Sequence, residues 1–182
     1  MYDYFSASLA KEGYYVVLLD GHDVPQGQRG DANLRKVVER AQKAPAAVPG
    51  KVGVIGFSLG GGAALSRAAN MPDLVSVVIV YYPSTRSFVA NPEGLARRFR
   101  VPVLMLAGEN DRYRDCCLIE TARAIEAAAK ERQAAFTLVS YPSADHGFNL
   151  AVPAYRAQDD ADAWKRTLEM LRRHLGRVSS ER

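Results

Sequence analysis

Residues 51–62 read Lys51-Val-Gly-Val-Ile-Gly56-Phe57-Ser58-Leu59-Gly60-Gly61-Gly62, and the fold follows from how this run is read. Val52 to Ile55 have the apolar, β-branched composition of a buried strand. Leu59 to Asn70 are Ala-rich and suit a helix. Between them stands the pattern G-x-S-x-G, Gly56 to Gly60. In a sharp strand-to-helix turn the two backbones come too close for a Cβ, so the flanking positions need glycine, and the serine is pushed out into the cleft. Ser58 is therefore the candidate nucleophile. The amide of Leu59, at the start of the helix, is a candidate donor to a developing oxyanion. A phosphate-binding loop fits less well, because no lysine follows the glycines and Gly56-Phe57-Ser58 breaks the G-x-G-x-x-G spacing.

Moving outward, further short apolar runs occur at Tyr14 to Leu19, Val75 to Tyr81, Val101 to Ala107 and Phe136 to Tyr141. They are nearly continuous in Val, Ile, Leu and Tyr, without in-and-out alternation, as expected of parallel strands covered on both faces. Helix-period segments lie between them. Asp31 to Ala44 opens on an N-cap candidate, and Cys117 to Arg132 is Ala-rich, with Asp115 as a candidate cap for it. After Pro153, Ala157, Ala161, Trp164, Leu168, Leu171 and Leu175 recur at spacings of three and four, which predicts an amphipathic helix of about five turns. The opening residues, with Tyr2, Phe5 and Leu9 before Gly13, predict a helix ending at a glycine. The expectation is an α/β fold: a three-layer sandwich with a mainly parallel sheet of about five strands and helices on both faces, in a single domain over residues 1–182. Ligands of such sheets bind beyond the carboxyl ends of the strands.

Two of those ends supply partners for Ser58. Gly108-Glu109-Asn110-Asp111 follows the fourth apolar run, and Pro142-Ser143-Ala144-Asp145-His146-Gly147-Phe148 follows the fifth. The order serine, acid, histidine is that of a nucleophile, an orienting acid and a general base on this type of sheet. Of the three histidines, His146 fits; His174 lies in the charged final helix, and His22 precedes the nucleophile. Among the acids Asp111 is preferred, since Asp115 reads as a helix cap and Asp145 is too near in sequence to orient the His146 ring. Tyr82, Arg86 and Phe148 are candidates to line the cleft, with Arg86 able to face a substrate carboxylate.

Composition excludes several classes. With 182 residues, 48% apolar and 24% charged, the chain has the proportions of a globular domain, large enough to bury about 70% of its unfolded surface without metal or disulfide staples. The net charge of +4 comes from short basic clusters interleaved with apolar residues, which argues against nucleic-acid binding. No apolar run is long enough to span a membrane, and the first residues lack the pattern of a signal peptide. The only cysteines, Cys116 and Cys117, are adjacent; a bridge between them would be strained and no other pair exists, so the compartment stays open.

The combination of Lys51-Val-Gly-Val-Ile-Gly-Phe-Ser58-Leu-Gly-Gly, Tyr81-Tyr82-Pro83, Pro102-Val-Leu-Met-Leu-Ala-Gly-Glu-Asn-Asp111 and Tyr141-Pro-Ser-Ala-Asp-His146-Gly-Phe148 resembles the dienelactone hydrolase family of α/β-hydrolases. The resemblance covers nearly the whole chain from about Leu9. It implies a serine hydrolase that cleaves small carboxylic esters or lactones through an acyl-enzyme, using Ser58, Asp111 and His146 and no metal or organic cofactor. The founding members use cysteine at the position of Ser58, so serine here implies an esterase-like relative. Family members also place strands, and a loop carrying the second oxyanion amide, ahead of the helix with which this chain begins. On that comparison the chain is N-terminally short, with a gap in the sheet beside Val52 to Ile55. Three outcomes follow: the first apolar run pairs directly with the second, a partner chain fills the gap in a homodimer, or the sequence is a fragment. The alternatives to hydrolysis are a catalytically impaired fold member and an acyltransferase with the same residues.

Overall fold

The computed structural model describes residues 2–19 and 28–176. Four strands form one sheet: β1 (Val52–Phe57), β2 (Val75–Tyr81), β3 (Val103–Gly108) and β4 (Phe136–Tyr141). Their order is β1-β2-β3-β4 and every pairing is parallel. Because all four run the same way, the residues that follow them gather at one edge of the sheet.

The helices are α1 (Asp3–Lys11), α2 (Gln28–Gln42), α3 (Ser58–Ser66), α4 (Pro92–Ala96), α5 (Ile119–Glu131) and α6 (Ala157–Leu175). They cover both faces. Val78, Val80 and Met105 point to one side and pack with Leu34 of α2, Leu65 of α3 and Ile125 of α5. Val77, Ile79, Tyr81 and Leu106 point to the other and pack with Leu9 of α1 and with Leu168 and Leu171 of α6. The three layers expected from the uninterrupted apolar runs are present, and β2 and β3 are buried on both faces. No described helix is long and apolar enough to cross a membrane.

Three expectations need correction. The sheet among the described residues has four strands rather than five, because Tyr14 to Leu19 has no regular secondary structure and no ladder partner there. Tyr14 and Val16 lean on the α1/α6 side of the core, while Tyr15, Val17 and Leu18 are 51%, 44% and 55% exposed. This run does not pair with β1, which among the described residues bonds only to β2. Next, α5 begins at Ile119 behind Leu118 with no side-chain cap, and Asp115 belongs to a short 3-10 turn, Tyr113–Asp115. Asp31 sits inside the first turn of α2, where it pairs with Arg67, instead of ahead of the helix. The helix end at Gly13 is as expected, with φ at +90° just beyond α1.

Candidate active site

At the carboxyl edge of the sheet, Ser58 is the first residue of α3, directly after β1, and its φ of +48° lies in the left-handed region that non-glycine residues avoid. The turn is held from both sides. A Cβ on Gly56 would stand 2.6 Å from the Gly60 carbonyl oxygen, and one on Gly61 would stand 2.9 Å from Pro83, so bare backbone is required at both. The Ser84 amide donates to the Ser58 carbonyl at 2.7 Å, tying the turn to the loop after β2. The Leu59 amide lies in the first turn of α3, where helix geometry leaves amides without an intrahelical acceptor.

Ser58, His146 and Asp111 are brought together from three strand ends. His146 Nε2 lies 3.0 Å from Ser58 Oγ, and its Nδ1 lies 2.8 Å from Asp111 Oδ2. Asp111 is 1% exposed, and its other oxygen accepts the Tyr113 amide at 3.0 Å. The carboxylate is thus fixed on both oxygens, and the imidazole has both nitrogens engaged. The loop carrying His146 is fastened to the one carrying Asp111, since the Asn110 amide donates to the Ala144 carbonyl at 3.0 Å and the Glu109 amide to the Tyr141 carbonyl at 3.0 Å. Gly108 makes this approach feasible, because a Cβ there would fall 2.5 Å from the Ala144 oxygen.

The other acids and histidines fall away from this cluster or outside the described residues. Asp145 accepts the backbone amide of His146 at 2.6 Å and leaves the ring to Asp111. His174 is half-buried on α6, where burial first and Arg173 second hold its pKa below the ordinary imidazole value. His22 lies outside the described residues.

The expected lining residues behave differently. Phe148 is fully buried, packed among Tyr81, Tyr82 and Tyr141, so it supports the site from within and does not line a cleft. Tyr82 is 1% exposed with φ at +36°; its ring lies 4.7 Å from that of His146 and its hydroxyl donates to Asn149 Oδ1 at 2.9 Å. Burial pushes the Tyr82 phenol well above its usual range, with nearby Tyr2 and Tyr81 adding to the shift, so it stays neutral beneath the imidazole. Arg86 is exposed and its side chain makes no hydrogen bond or ion pair among the described residues.

Two features escaped the sequence reading. Tyr113 stacks on His146 at 4.5 Å with an interplanar angle of 17°, and the Arg114 guanidinium lies over Tyr113, 5.3 Å from its centroid. Cys116 and Cys117, set aside above as a strained pair, are joined as a disulfide close to His146. The only hint of the first was the aromatic residue two places after Asp111. A depression of about 600 Å³ lined by Arg123, Lys130, Gln133 and Phe136 contains none of these residues.

A parallel sheet covered on both faces, with a serine turn between a strand and its following helix, is the α/β-hydrolase fold. The chain belongs to the dienelactone hydrolase family, whose model matches residues 18–175. It is 31% identical over 131 residues to an Escherichia coli (strain K12) protein provisionally named carboxymethylenebutenolidase, covering 69% of this chain and 47% of that protein. The chain thus spans about half the length of the curated relatives it matches. Among solved structures it resembles MGS-M1, an α/β hydrolase from a Medee basin deep-sea metagenome library (TM-score 0.70, 15% identity, 95% of this chain and 76% of that one). It also resembles the dienelactone hydrolase-like promiscuous phosphotriesterase P91 from metagenomic libraries (TM-score 0.64, 20% identity, 94% and 69%).

Proposed function

We propose that this chain hydrolyses small carboxylic esters or lactones through a serine nucleophile. The observation that carries the reading is the run of hydrogen bonds from Ser58 Oγ to His146 Nε2 and from His146 Nδ1 to Asp111 Oδ2, at 3.0 and 2.8 Å. Ser58 attacks the acyl carbon while His146 accepts its proton, and the Leu59 amide faces the oxygen that gains charge. Asp111 holds the imidazole in the tautomer whose Nε2 is free to accept, and stabilises the cation that forms. His146 then returns the proton to the leaving alkoxide, and water repeats the sequence on the acyl-enzyme. The family membership and the name of the Escherichia coli relative favour an ester or lactone carbonyl as the group attacked.

Steady-state hydrolysis of a short-chain aryl ester tests this. Ser58→Ala is expected to lower kcat by about 10⁶-fold, as loss of a serine nucleophile does elsewhere. Retained turnover in that variant overturns the assignment. Covalent labelling of Ser58 by a phosphonate without ester turnover would instead support the catalytically impaired reading.

A further inference from the structure

Cys116 and Cys117 have no part in the reaction proposed above, yet they stand beside its histidine. The candidate ligand atoms of Cys116, Cys117 and His146 all lie within 4.8 Å of one another. Cys117 is 4% exposed whereas Cys116 is half-buried, so a reductant in solution meets the pair at Cys116. The Cys116 carbonyl accepts the Thr85 and Arg86 amides at 2.7 and 3.0 Å, which sets the pair between the loops that follow β2 and β3.

We propose that Cys116, Cys117 and His146 form a site for a thiophilic divalent cation of the Zn²⁺ type, opened by reduction of the disulfide, and that filling it silences Ser58. Two thiolates and an imidazole are a zinc ligand set, with the fourth tetrahedral position left to water. Ligand atoms around such an ion stand about 3.5–3.8 Å apart. The sulfur-to-nitrogen separations, at most 4.8 Å, must therefore close by up to about 1 Å, while the two sulfurs, joined in the disulfide, must part after reduction; rotation of the freed thiols about their Cα–Cβ bonds serves both movements. A metal-bound histidine nearly always donates its other ring N–H to a carboxylate, a backbone carbonyl or a water, and the Asp111 carboxylate already occupies Nδ1 at 2.8 Å. The nitrogen left for the metal is Nε2, the atom that holds Ser58 Oγ. A cation there and a base for Ser58 exclude each other.

The redox step needs two electrons, supplied by a thiol reductant. Its thiolate attacks Cys116 Sγ, the disulfide breaks and Cys117 leaves as thiolate; a second reductant thiol then frees Cys116 as the reductant's own disulfide. The cation displaces the thiol protons to solvent and accepts the Nε2 lone pair, with no further change of oxidation state. While the two sulfurs remain joined neither is a thiolate, the form that binds metal.

Silencing rests on Ser58 and His146 acting as nucleophile and base; binding does not, and the two are read separately. The full chain is reduced with a phosphine, which departs as its oxide with oxygen from water, then desalted anaerobically and titrated with cadmium chloride beside the disulfide form. Sulfur-to-cadmium charge-transfer absorption should rise to one cadmium per reduced chain, ester turnover should vanish over the same titration, and neither should occur in the disulfide form. A Cys116→Ser/Cys117→Ser double variant, shown to be folded by circular dichroism, should lose both the absorption and the cadmium-dependent inhibition. In His146→Ala, followed by absorption alone, the midpoint should move to higher cadmium. No absorption in the reduced chain, undiminished inhibition in the double variant, or an unmoved midpoint in His146→Ala overturns the proposal. Absorption with the midpoint shift, in a chain that never turns over ester, upholds the site and sinks the hydrolase reading instead.

Discussion

At the scale of single residues, the imidazole of His146 is held by more than its two hydrogen bonds. Tyr113 covers one face of the ring, and its own amide reaches Asp111, so one residue restrains both members of the pair. We expect Tyr113→Ala to lower kcat for a short aryl ester by about 2- to 10-fold, the value of one aromatic stack of about 0.5–1.5 kcal/mol, with KM little changed. Tyr113→Phe keeps the stack and should restore the rate; an equal loss in both variants would mean that the hydroxyl, not the stack, matters. Ser58, Asp111 and His146 were legible in the sequence because each follows an apolar run and parallel strands put those ends together. Tyr113 was not, since stacking depends on how the 3-10 turn after Asp111 aims its ring. Phe148 was misread for a related reason: an aromatic two places past the histidine can turn outward or inward, and only the packing with Tyr81, Tyr82 and Tyr141 decides.

At the scale of elements, the close meeting of β3 with the loop after β4 is what brings acid and histidine within reach. Gly108→Ala places a methyl 2.5 Å from the Ala144 carbonyl oxygen, a backbone atom that cannot swing aside. The expected cost is about 1–3 kcal/mol in urea unfolding, with kcat reduced as the His146 loop shifts; full activity at wild-type stability would contradict the contact. The other end of that loop leads to α6, where Asp162 accepts from Arg166 at 2.6 Å and from the Tyr141 hydroxyl at 3.0 Å. The Arg166 hydrogen bond is the main cause of a lowered Asp162 pKa, opposed by burial and helped by Tyr141. Folding therefore favours the carboxylate, so its contribution is complete above the unfolded value of about 3.9 and is lost as pH falls through the lower folded one. Since the Asp162 and Arg166 side chains are 40% and 43% exposed, Asp162→Asn should cost well under about 1 kcal/mol at neutral pH. Denaturation at a series of pH values should show that difference shrinking below about pH 4; a constant difference would place the effect elsewhere. The length and apolar stripe of α6 were readable from periodicity, though Ala163 and Thr167, not Ala161, take buried positions, with Thr167 satisfied by the Tyr81 hydroxyl at 2.7 Å. The strand expected at Tyr14 to Leu19 failed because β-branched composition says that a segment suits a pleated surface, not that a neighbour stands beside it.

For the whole molecule, stability depends on two apolar faces closed by different parts of the chain. One is covered by α2 to α5, each near in sequence to the strands it covers; the other is covered by α1 and α6 from the two sides of the sequence. A Cβ on Gly53 would lie 2.9 Å from Leu171 and 3.2 Å from Leu175, so the glycine in β1 lets α6 sit directly on the sheet. Leu171→Ala should cost about 2–5 kcal/mol in equilibrium unfolding; a change near zero would show that α6 adds little to the core. The same arrangement has a consequence during synthesis. From Phe57, the last residue of β1, to Ala157, the first of α6, the ribosome adds 100 residues, which takes about 5–20 s at about 5–20 residues per second. Through that interval Val77, Ile79 and Tyr81, once made, have no α6 to lie against, and the nascent chain offers chaperones an apolar surface that the finished protein hides.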